Sequence, residues 1–260
     1  MERRLTLNVV RLGEGEPLVL LHPLGGELVV WEPVMPLLAP SRDVVAPDMA
    51  GFGRSPELPE DEEPTPAALA RAVAALMDEL GIESAHVAGV SLGGWVALEL
   101  GRLGRARSVT GLNAAGFWRR PLGPRRNPAR ELGRALAPLA GPLLRSADVR
   151  RRLLGGVTAR PERVPPDAAA RLVRAYITSP GFERVNAAMR SAVFDGMEEI
   201  RAPVTLAWAE HDRLVAEPLG GVPGARRRWL RGCGHIPTWD DPEQVADVLL
   251  EASSAARRTA

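Results

Sequence analysis

Residues 86–95 read His-Val-Ala-Gly-Val-Ser-Leu-Gly-Gly-Trp, and this stretch decides the fold that the chain is expected to adopt. A short apolar run leads into Gly-x-Ser-x-Gly, and residues 95–100 continue with a strong helical pattern. Strand, sharp turn and helix are the context of a nucleophile elbow, in which a strained backbone projects the serine hydroxyl above a sheet. Only small neighbours such as Gly89 and Gly93 can pack around Ser91 in such a turn. The alternative is an ordinary turn between strand and helix. The rest of the sequence is needed to distinguish this turn from a nucleophile elbow.

The composition is that of an ordinary globular protein. Of 260 residues, 45% are hydrophobic and 25% are charged, and the net charge of +1 gives no argument for a nucleic-acid or membrane partner. The lone Cys233 cannot form an internal disulfide, and one thiol with four histidines makes no zinc site, so we expect no metal and no cofactor. The first residues lack the apolar core of a signal peptide, and no apolar run approaches the roughly 20 residues of a membrane helix. We therefore expect a cytoplasmic protein; its oligomeric state is not predicted.

Short apolar runs alternate with helical patterns along most of the chain. Strands buried on both faces of a parallel sheet read as continuous apolar runs, and four segments have this character: 18–21, 44–46, 109–112 and 204–208. Residues 5–10 alternate between apolar and polar side chains, which predicts an edge strand. Repeated strand–helix units predict an α/β fold with a doubly wound, mostly parallel sheet.

The alternation stops between residues 117 and 196, where helical segments broken by Pro and Gly follow one another. We interpret 1–116 and 197–260 as the two parts of an α/β core and 117–196 as an inserted helical cap. The cap carries 16 arginines against 6 acidic residues, so it has a charge of +10 and the rest of the chain −9. This charge is either a solvated surface that complements the acidic core or a means of attracting anionic substrates.

Three residue types needed for acyl transfer follow predicted strands in chain order. A serine hydroxyl is scarcely ionised at neutral pH, so it needs a histidine to accept its proton and a carboxylate to orient that histidine. Ser91, Asp212 and His235 each come just past the end of a predicted strand, where ligand-facing loops of a doubly wound sheet lie. They are the predicted catalytic residues.

The competing residues are few. Of the other histidines near these motifs, His86 lies at the wrong end of its strand, and His211 adjoins the acid that it would have to face. Glu210 and Asp240 are alternative acids. Asp212 is preferred because it sits further into the loop, where it could reach His235.

Two further glycine-containing loops follow buried strands. Residues 22–26 read His-Pro-Leu-Gly-Gly, and the Leu24 N–H could complete an oxyanion hole, although a plain loop is the alternative. We interpret His22 as a structural hydrogen bonder. Residues 47–55 form a polar loop in which we interpret Asp48 and Arg54 as loop organisers rather than catalytic groups.

These motifs together resemble the α/β-hydrolase superfamily, and in particular capped hydrolases related to esterases, cofactor-free haloperoxidases and carbon–carbon bond hydrolases. The resemblance spans nearly the whole core, and the cap matches nothing specific. It implies Ser91 as nucleophile, His235 as base, Asp212 as acid, and an oxyanion hole formed by the N–H groups of Leu24 and Leu92. Pro23 departs from the glycine common after that histidine and makes Leu24 the least secure assignment. Serine at position 91, where aspartate would be required, argues against epoxide hydrolase or haloalkane dehalogenase chemistry.

The expected activity is hydrolysis of a small carboxylic ester or lactone through an acyl-enzyme. The same residues could serve carbon–carbon hydrolysis, perhydrolysis or acyl transfer, and a ligand sensor that does not turn over is the alternative outside enzymes. Apolar residues next to the motifs could form the substrate pocket or could equally be core; besides Leu24 and Leu92 they are Phe117, Trp118, Val215 and Ile236.

Overall fold

The computed structural model describes residues 5–123, 130–131, 133–134 and 137–255, so parts of segment 117–196 and both ends of the chain lie outside the description. Seven strands form one sheet in the order β1-β3-β2-β4-β5-β6-β7. Only β1 is antiparallel to its neighbour, so the sheet is mostly parallel, as predicted. The strands are β1 Val9–Leu12, β2 Glu16–Leu21, β3 Arg42–Pro47, β4 Ala85–Val90, β5 Ala106–Leu112, β6 Val204–Ala209 and β7 Ala225–Leu230.

The described α-helices lie partly against the sheet and partly within segment 117–196. They are α1 Met35–Leu38, α2 Pro66–Glu79, α3 Leu92–Arg102, α4 Ala140–Leu143, α5 Ala147–Leu154, α6 Pro166–Thr178, α7 Phe182–Arg190 and α8 Pro242–Ala255. α2 and α3 bury their apolar residues in one core cluster, and α1 and α8 bury theirs in a second. Among the described helices, none combines the length and apolar character needed to cross a bilayer.

The first strand lies further along the chain than its sequence pattern predicts. The prediction was residues 5–10, but β1 starts at Val9. Asn8 explains the difference, because its N–H donates to Ser55 Oγ (2.8 Å) and its side-chain amide donates to Asp48 Oδ2 (2.8 Å). These bonds hold the preceding residues against a loop instead of in the sheet.

The order of the strands creates a crevice at the carboxyl edge of the sheet. From β2 the chain crosses to β3 on one side and then to β4 on the other, so the direction of winding reverses between β2 and β4. Loops that leave adjacent strands at such a point diverge, and ligands bind between them. Here the diverging loops carry Leu24 after β2 and Ser91 after β4.

His86, at the opposite edge of the sheet, makes stability depend on pH. Its Nδ1 lies 2.8 Å from Ser108 Oγ, and its Nε2 lies 3.7 Å from a carboxylate oxygen of Glu16. Burial, with Arg42 acting in the same direction, lowers the pKa of His86 from 6.5 to about 4. The unfolded chain therefore takes up this proton first as the pH falls, and stability is lost from about pH 6.5 downward.

We expect His86 to account for about 2 kcal/mol of the difference in unfolding free energy between about pH 7.5 and about pH 5, at 1.36 kcal/mol per pKa unit. Urea unfolding at both pH values measures it. His86→Gln keeps a hydrogen-bonding group near Ser108 but cannot take up a proton. The difference in its unfolding free energy between the two pH values should therefore be smaller by that amount. An unchanged difference in this variant would contradict the prediction.

Candidate active site

Ser91 stands in a strained turn between β4 and α3. Its backbone angles are φ 56° and ψ −115°, in the left-handed half of conformational space that non-glycine residues rarely enter. The turn packs too tightly for side chains beside it: a Cβ on Gly89 would lie 2.1 Å from the Gly93 carbonyl, and one on Gly93 would lie 2.2 Å from the Leu21 carbonyl oxygen. The two glycines are therefore required by backbone contacts.

Adding one methyl group at Gly93 should destabilise the protein by about 3 kcal/mol, because the obstructing atoms belong to the backbone of β2 and cannot move aside. Gly141 in α4 is the matched control, since a Cβ there meets nothing within 4 Å. We expect Gly141→Ala to be neutral or to add about 0.5 kcal/mol, because alanine favours helix. Chemical denaturation of both variants measures the difference, and equal midpoints would refute the packing argument.

The sequence predicts that the N–H groups of Leu24 and Leu92 form the oxyanion hole. Leu92 is the first residue of α3, so its N–H lies at the positive end of the helix. Leu24 lies in the loop after β2, where Gly26 N–H donates to the Pro23 carbonyl (2.9 Å) and leaves the Leu24 N–H outside that turn. Within the described part of the chain, neither the Leu24 nor the Leu92 N–H has a backbone acceptor, and the Ser91 hydroxyl does not cap α3.

His22 holds the Leu24 loop in place, as the sequence suggests. Its Nδ1–H donates to the Pro23 carbonyl (2.9 Å), and its Nε2 accepts the Met49 N–H (2.9 Å). A ring that accepts a backbone N–H must be neutral, and complete burial lowers the pKa of His22. His22 therefore ties the loop after β2 to the loop after β3.

Asp48 organises the loop after β3. Its carboxylate accepts hydrogen bonds from the N–H groups of Leu28 (2.8 Å) and Arg54 (2.9 Å), and from the side chain of Asn8. Hydrogen bonds to two backbone N–H groups and to the Asn8 side chain agree with the structural role expected of Asp48. The contacts join the segment before β1 to the loops after β2 and β3.

Asp212 and His235 meet at the carboxyl edge of the sheet. His235 Nδ1 lies 2.8 Å from Asp212 Oδ2, and both side chains are buried. Asp212 Oδ1 accepts the N–H groups of Leu214 (2.7 Å) and Val215 (3.1 Å), which keeps the carboxylate in this orientation. Because an ionised carboxylate can only accept, Nδ1 is the donor in this hydrogen bond, and in a neutral imidazole of this tautomer Nε2 has a free electron pair.

The two alternative acids are engaged elsewhere. Glu210 accepts the Gly232 N–H (2.9 Å) at an exposed position. Asp240 is fully buried and accepts three backbone N–H groups, those of Gly234 (2.7 Å), Ala159 (2.9 Å) and Arg160 (2.7 Å). Of the three carboxylates, Asp212 is the one whose oxygen contacts His235.

Asn113, which follows β5, is a site residue that the sequence reasoning passed over. Its backbone has φ 48°, and its side chain is fully buried against the loop of His235. The only signal in the sequence is an amide directly after the strand that follows the elbow, at the carboxyl edge of the sheet.

The predicted pocket residues fall into different surroundings. Phe117 packs edge-on against Phe194 (5.7 Å between centroids) and Trp208 (6.3 Å). Trp118 packs against Trp95 (5.6 Å), and its indole N–H donates to the Ala192 carbonyl (2.7 Å).

The other two predicted pocket residues belong to the loops of the acid and the histidine. Val215 packs against the core cluster that contains α3, and its N–H binds Asp212. Ile236 packs against the other cluster, and its N–H donates to the Val157 carbonyl (2.7 Å).

Two aromatic residues of segment 117–196 lie over the Leu24 loop. A Cβ on Gly25 would come within 2.9 Å of the Tyr176 ring and 3.0 Å of the Phe182 ring, so both rings touch this glycine. The Gly181 N–H also donates to the Gly51 carbonyl (2.9 Å). Sequence reasoning missed both aromatic residues, because the pattern of a helix does not reveal which loop it contacts.

Some of the arginines of segment 117–196 pair with acidic residues of the core. Arg171 binds the Glu32 carboxylate through two nitrogens, and Arg184 Nη1 lies 3.8 Å from Glu57. Both pairs are partly exposed, so their effect on stability is small. They agree with the interpretation that the arginine-rich segment complements an acidic core.

Comparisons with known proteins agree with the fold. Residues 16–242 match the sequence profile that describes the alpha/beta hydrolase fold. Epoxide hydrolase EphH of Mycobacterium tuberculosis is 30% identical over 204 residues, which cover 70% of this chain and 92% of the relative. A 2-hydroxy-6-oxo-6-phenylhexa-2,4-dienoate hydrolase of Comamonas testosteroni is 29% identical over 263 residues, which cover 92% of this chain and 88% of the relative. The structure of the enol-lactonase from Burkholderia xenovorans LB400 superposes with a TM-score of 0.72 at 25% identity and covers 95% of this chain and 96% of the other.

Proposed function

The chain is a hydrolase of the alpha/beta hydrolase fold family, and on that premise we propose that it hydrolyses a small carboxylic ester or lactone with Ser91, His235 and Asp212. The observation that carries the proposal is the 2.8 Å hydrogen bond between His235 and Asp212, which leaves Nε2 of the imidazole free to accept a proton. Ser91 would supply that proton from a strained turn, and its hydroxyl does not cap the helix that follows.

The proposed reaction proceeds through an acyl-enzyme. Ser91 Oγ attacks the carbonyl carbon while His235 Nε2 takes the hydroxyl proton, and Asp212 stabilises the resulting imidazolium. The carbonyl oxygen becomes negative and accepts hydrogen bonds from the N–H groups of Leu24 and Leu92. Losing one such donor typically costs about 10²–10³-fold in rate.

The second half of the reaction releases the acid. His235 first gives its proton to the leaving alcohol, so the bond between carbon and the alcohol oxygen breaks. It then takes a proton from water, which attacks the acyl carbon. The tetrahedral intermediate collapses with return of the proton to Ser91 Oγ, and the carboxylic acid leaves.

Epoxide hydrolysis is disfavoured by Ser91, although EphH is named for that activity. Opening an epoxide with a serine hydroxyl would make an alkyl ether, which has no carbonyl carbon for water to attack. The enzyme would stop after one turnover. An ester or lactone instead gives an acyl-serine that water can hydrolyse, and similarity to an enol-lactonase supports this substrate class.

We also propose that residues 117–196 form a cap over the crevice. The contacts of Tyr176 and Phe182 with Gly25, next to Leu24, support this arrangement. In this proposal the cap and the residues Leu24, Leu92, Phe117, Trp118, Val215 and Ile236 limit the size of the acyl or alcohol group.

Carbon–carbon bond hydrolysis is the second candidate. It is favoured by similarity over 92% of this chain to a hydrolase of a phenylhexadienoate. The same proton transfers would act on a vinylogous diketone in place of an ester.

Assays with two substrate series separate the candidates. One series consists of p-nitrophenyl esters of increasing acyl length together with small lactones, and the other is a chromophoric dienol diketone. Ester or lactone turnover that exceeds diketone turnover supports the proposal, and the preferred acyl length reports the pocket size. Diketone cleavage without ester or lactone cleavage would replace the proposal with the second candidate.

A further inference from the structure

The side chain of Asn113 connects the loops of the proposed acid and the proposed base. Its amide nitrogen Nδ2 donates to the carbonyl oxygens of Gly234 (3.2 Å) and His235 (3.0 Å). Its amide oxygen Oδ1 accepts the N–H of Ala209 (2.7 Å), the last residue of β6 before the loop of Asp212. One planar group therefore contacts both loops.

The backbone beside Asn113 is bonded to the nucleophile turn. The Ser91 N–H donates to the carbonyl of Leu112 (2.9 Å), and the Ser91 carbonyl accepts the N–H of Ala115 (3.0 Å). The segment from Leu112 to Ala115 therefore contacts the Ser91 turn through its backbone while the Asn113 side chain contacts the other two loops.

Asparagine meets requirements that other residue types do not combine here. The position needs a donor toward two carbonyl oxygens and an acceptor toward one N–H, on a group short enough to fit at the end of β5. It also needs a backbone with φ 48°, which asparagine tolerates better than most residues. Aspartate has the same shape but cannot donate when ionised.

We propose that Asn113 is a positioning residue that aligns His235 and Asp212 relative to Ser91. It touches no reacting atom; it acts by fixing the backbone of the two loops. This inference rests on the proposed function. A displacement of about 1 Å in catalytic groups can cost about 10²-fold in rate, which sets the size of the expected effect.

The test uses Asn113→Gly, because glycine adopts a positive φ without strain and any loss can then be assigned to the amide. The first measurement is the rate at which a fluorophosphonate labels Ser91, which needs no knowledge of the substrate. The second is kcat and KM for the best ester. We expect the labelling rate and kcat to fall about 10²-fold and KM to change less than about 3-fold.

The same substitution made in a His235→Ala variant distinguishes a positioning role from a general loss of structure. If Asn113 acts through His235, Asn113→Gly should have almost no further effect on the residual labelling rate of His235→Ala. Val73→Ala, in the buried face of α2, is the stability control. It should lower Tm by several degrees and leave the labelling rate of the folded protein unchanged.

The outcomes are distinguishable. A wild-type protein that the fluorophosphonate does not label would overturn the proposed function, and the inference with it. Wild-type labelling with an unchanged rate in Asn113→Gly would overturn the inference alone, as would an equal loss in the His235→Ala background. If Asn113→Gly does not fold, Asn113→Asp keeps the acceptor for Ala209 and removes the donor. A normal rate in that variant would also overturn the inference.

Discussion

Ser91→Ala is expected to reduce ester turnover by about 10⁴-fold or more, because it removes the atom that would form the acyl-enzyme. His235 and the two N–H groups at Leu24 and Leu92 would then have no nucleophile to assist. The variant should fold like the wild-type protein, since the hydroxyl makes no capping hydrogen bond to α3. An alanine also relieves none of the backbone strain at φ 56°, so we expect little change in Tm.

The measurement is kcat/KM for the best ester or lactone, together with fluorophosphonate labelling, which should disappear. Ser191→Ala is a matched control, because the hydroxyl of this exposed serine donates to the Ala188 carbonyl of the preceding helix (2.8 Å). It should keep full activity. Turnover by Ser91→Ala at a tenth of the wild-type rate or more would show that the serine is not the nucleophile.

Asp212→Asn should lower kcat by about 10⁴-fold, because an amide in this position no longer holds the imidazole with its proton on Nδ1. In the wild-type protein, Oδ2 of the carboxylate accepts the His235 proton, while Oδ1 is held by the N–H groups of Leu214 and Val215. Asparagine can keep the backbone contacts through its oxygen. Its NH₂ group then faces His235, and the imidazole must present the other tautomer, with no free electron pair toward Ser91.

The neighbouring acid provides the control for this variant. Glu210→Gln removes a carboxylate two residues away and should leave kcat within about 3-fold of wild type, because Glu210 binds only the exposed Gly232 N–H among the described contacts. Steady-state kinetics on both variants decides between the acids. A larger loss in Glu210→Gln than in Asp212→Asn would mean that the acid has been assigned to the wrong residue.

The fold class could be predicted because its signals are local. A strand buried on both faces of a parallel sheet has to be apolar along its length, and β2, β3 and β6 are recognisable for that reason. The bounds of β1 were wrong because the hydrogen bonds of Asn8 to Ser55 and Asp48 join residues 47 and 40 positions apart. Alternating polarity alone could not reveal them.

The sequence predicted the catalytic residues of the candidate site, but it did not predict the residues that contact their loops. Ser91, Asp212 and His235 were chosen from chain order and strand ends, and their catalytic roles stay a prediction. Asn113 was missed because its three hydrogen bonds go to residues about 100 positions later in the chain. Tyr176 and Phe182 were missed because a helical pattern does not show which loop a helix covers.

The sequence by itself determined the Ser91 turn, because the turn depends on neighbouring residues: glycines at 89 and 93, a serine between them, an apolar strand before and a helix after. Only the tertiary structure decided which carboxylate meets His235. The sequence favours Asp212 over Glu210 and Asp240 only through its position further into the loop, and it does not show which carboxylate contacts His235. The choice depends on where each loop turns in space: the N–H groups of Leu214 and Val215 aim Asp212 at His235, and three other N–H groups bind Asp240.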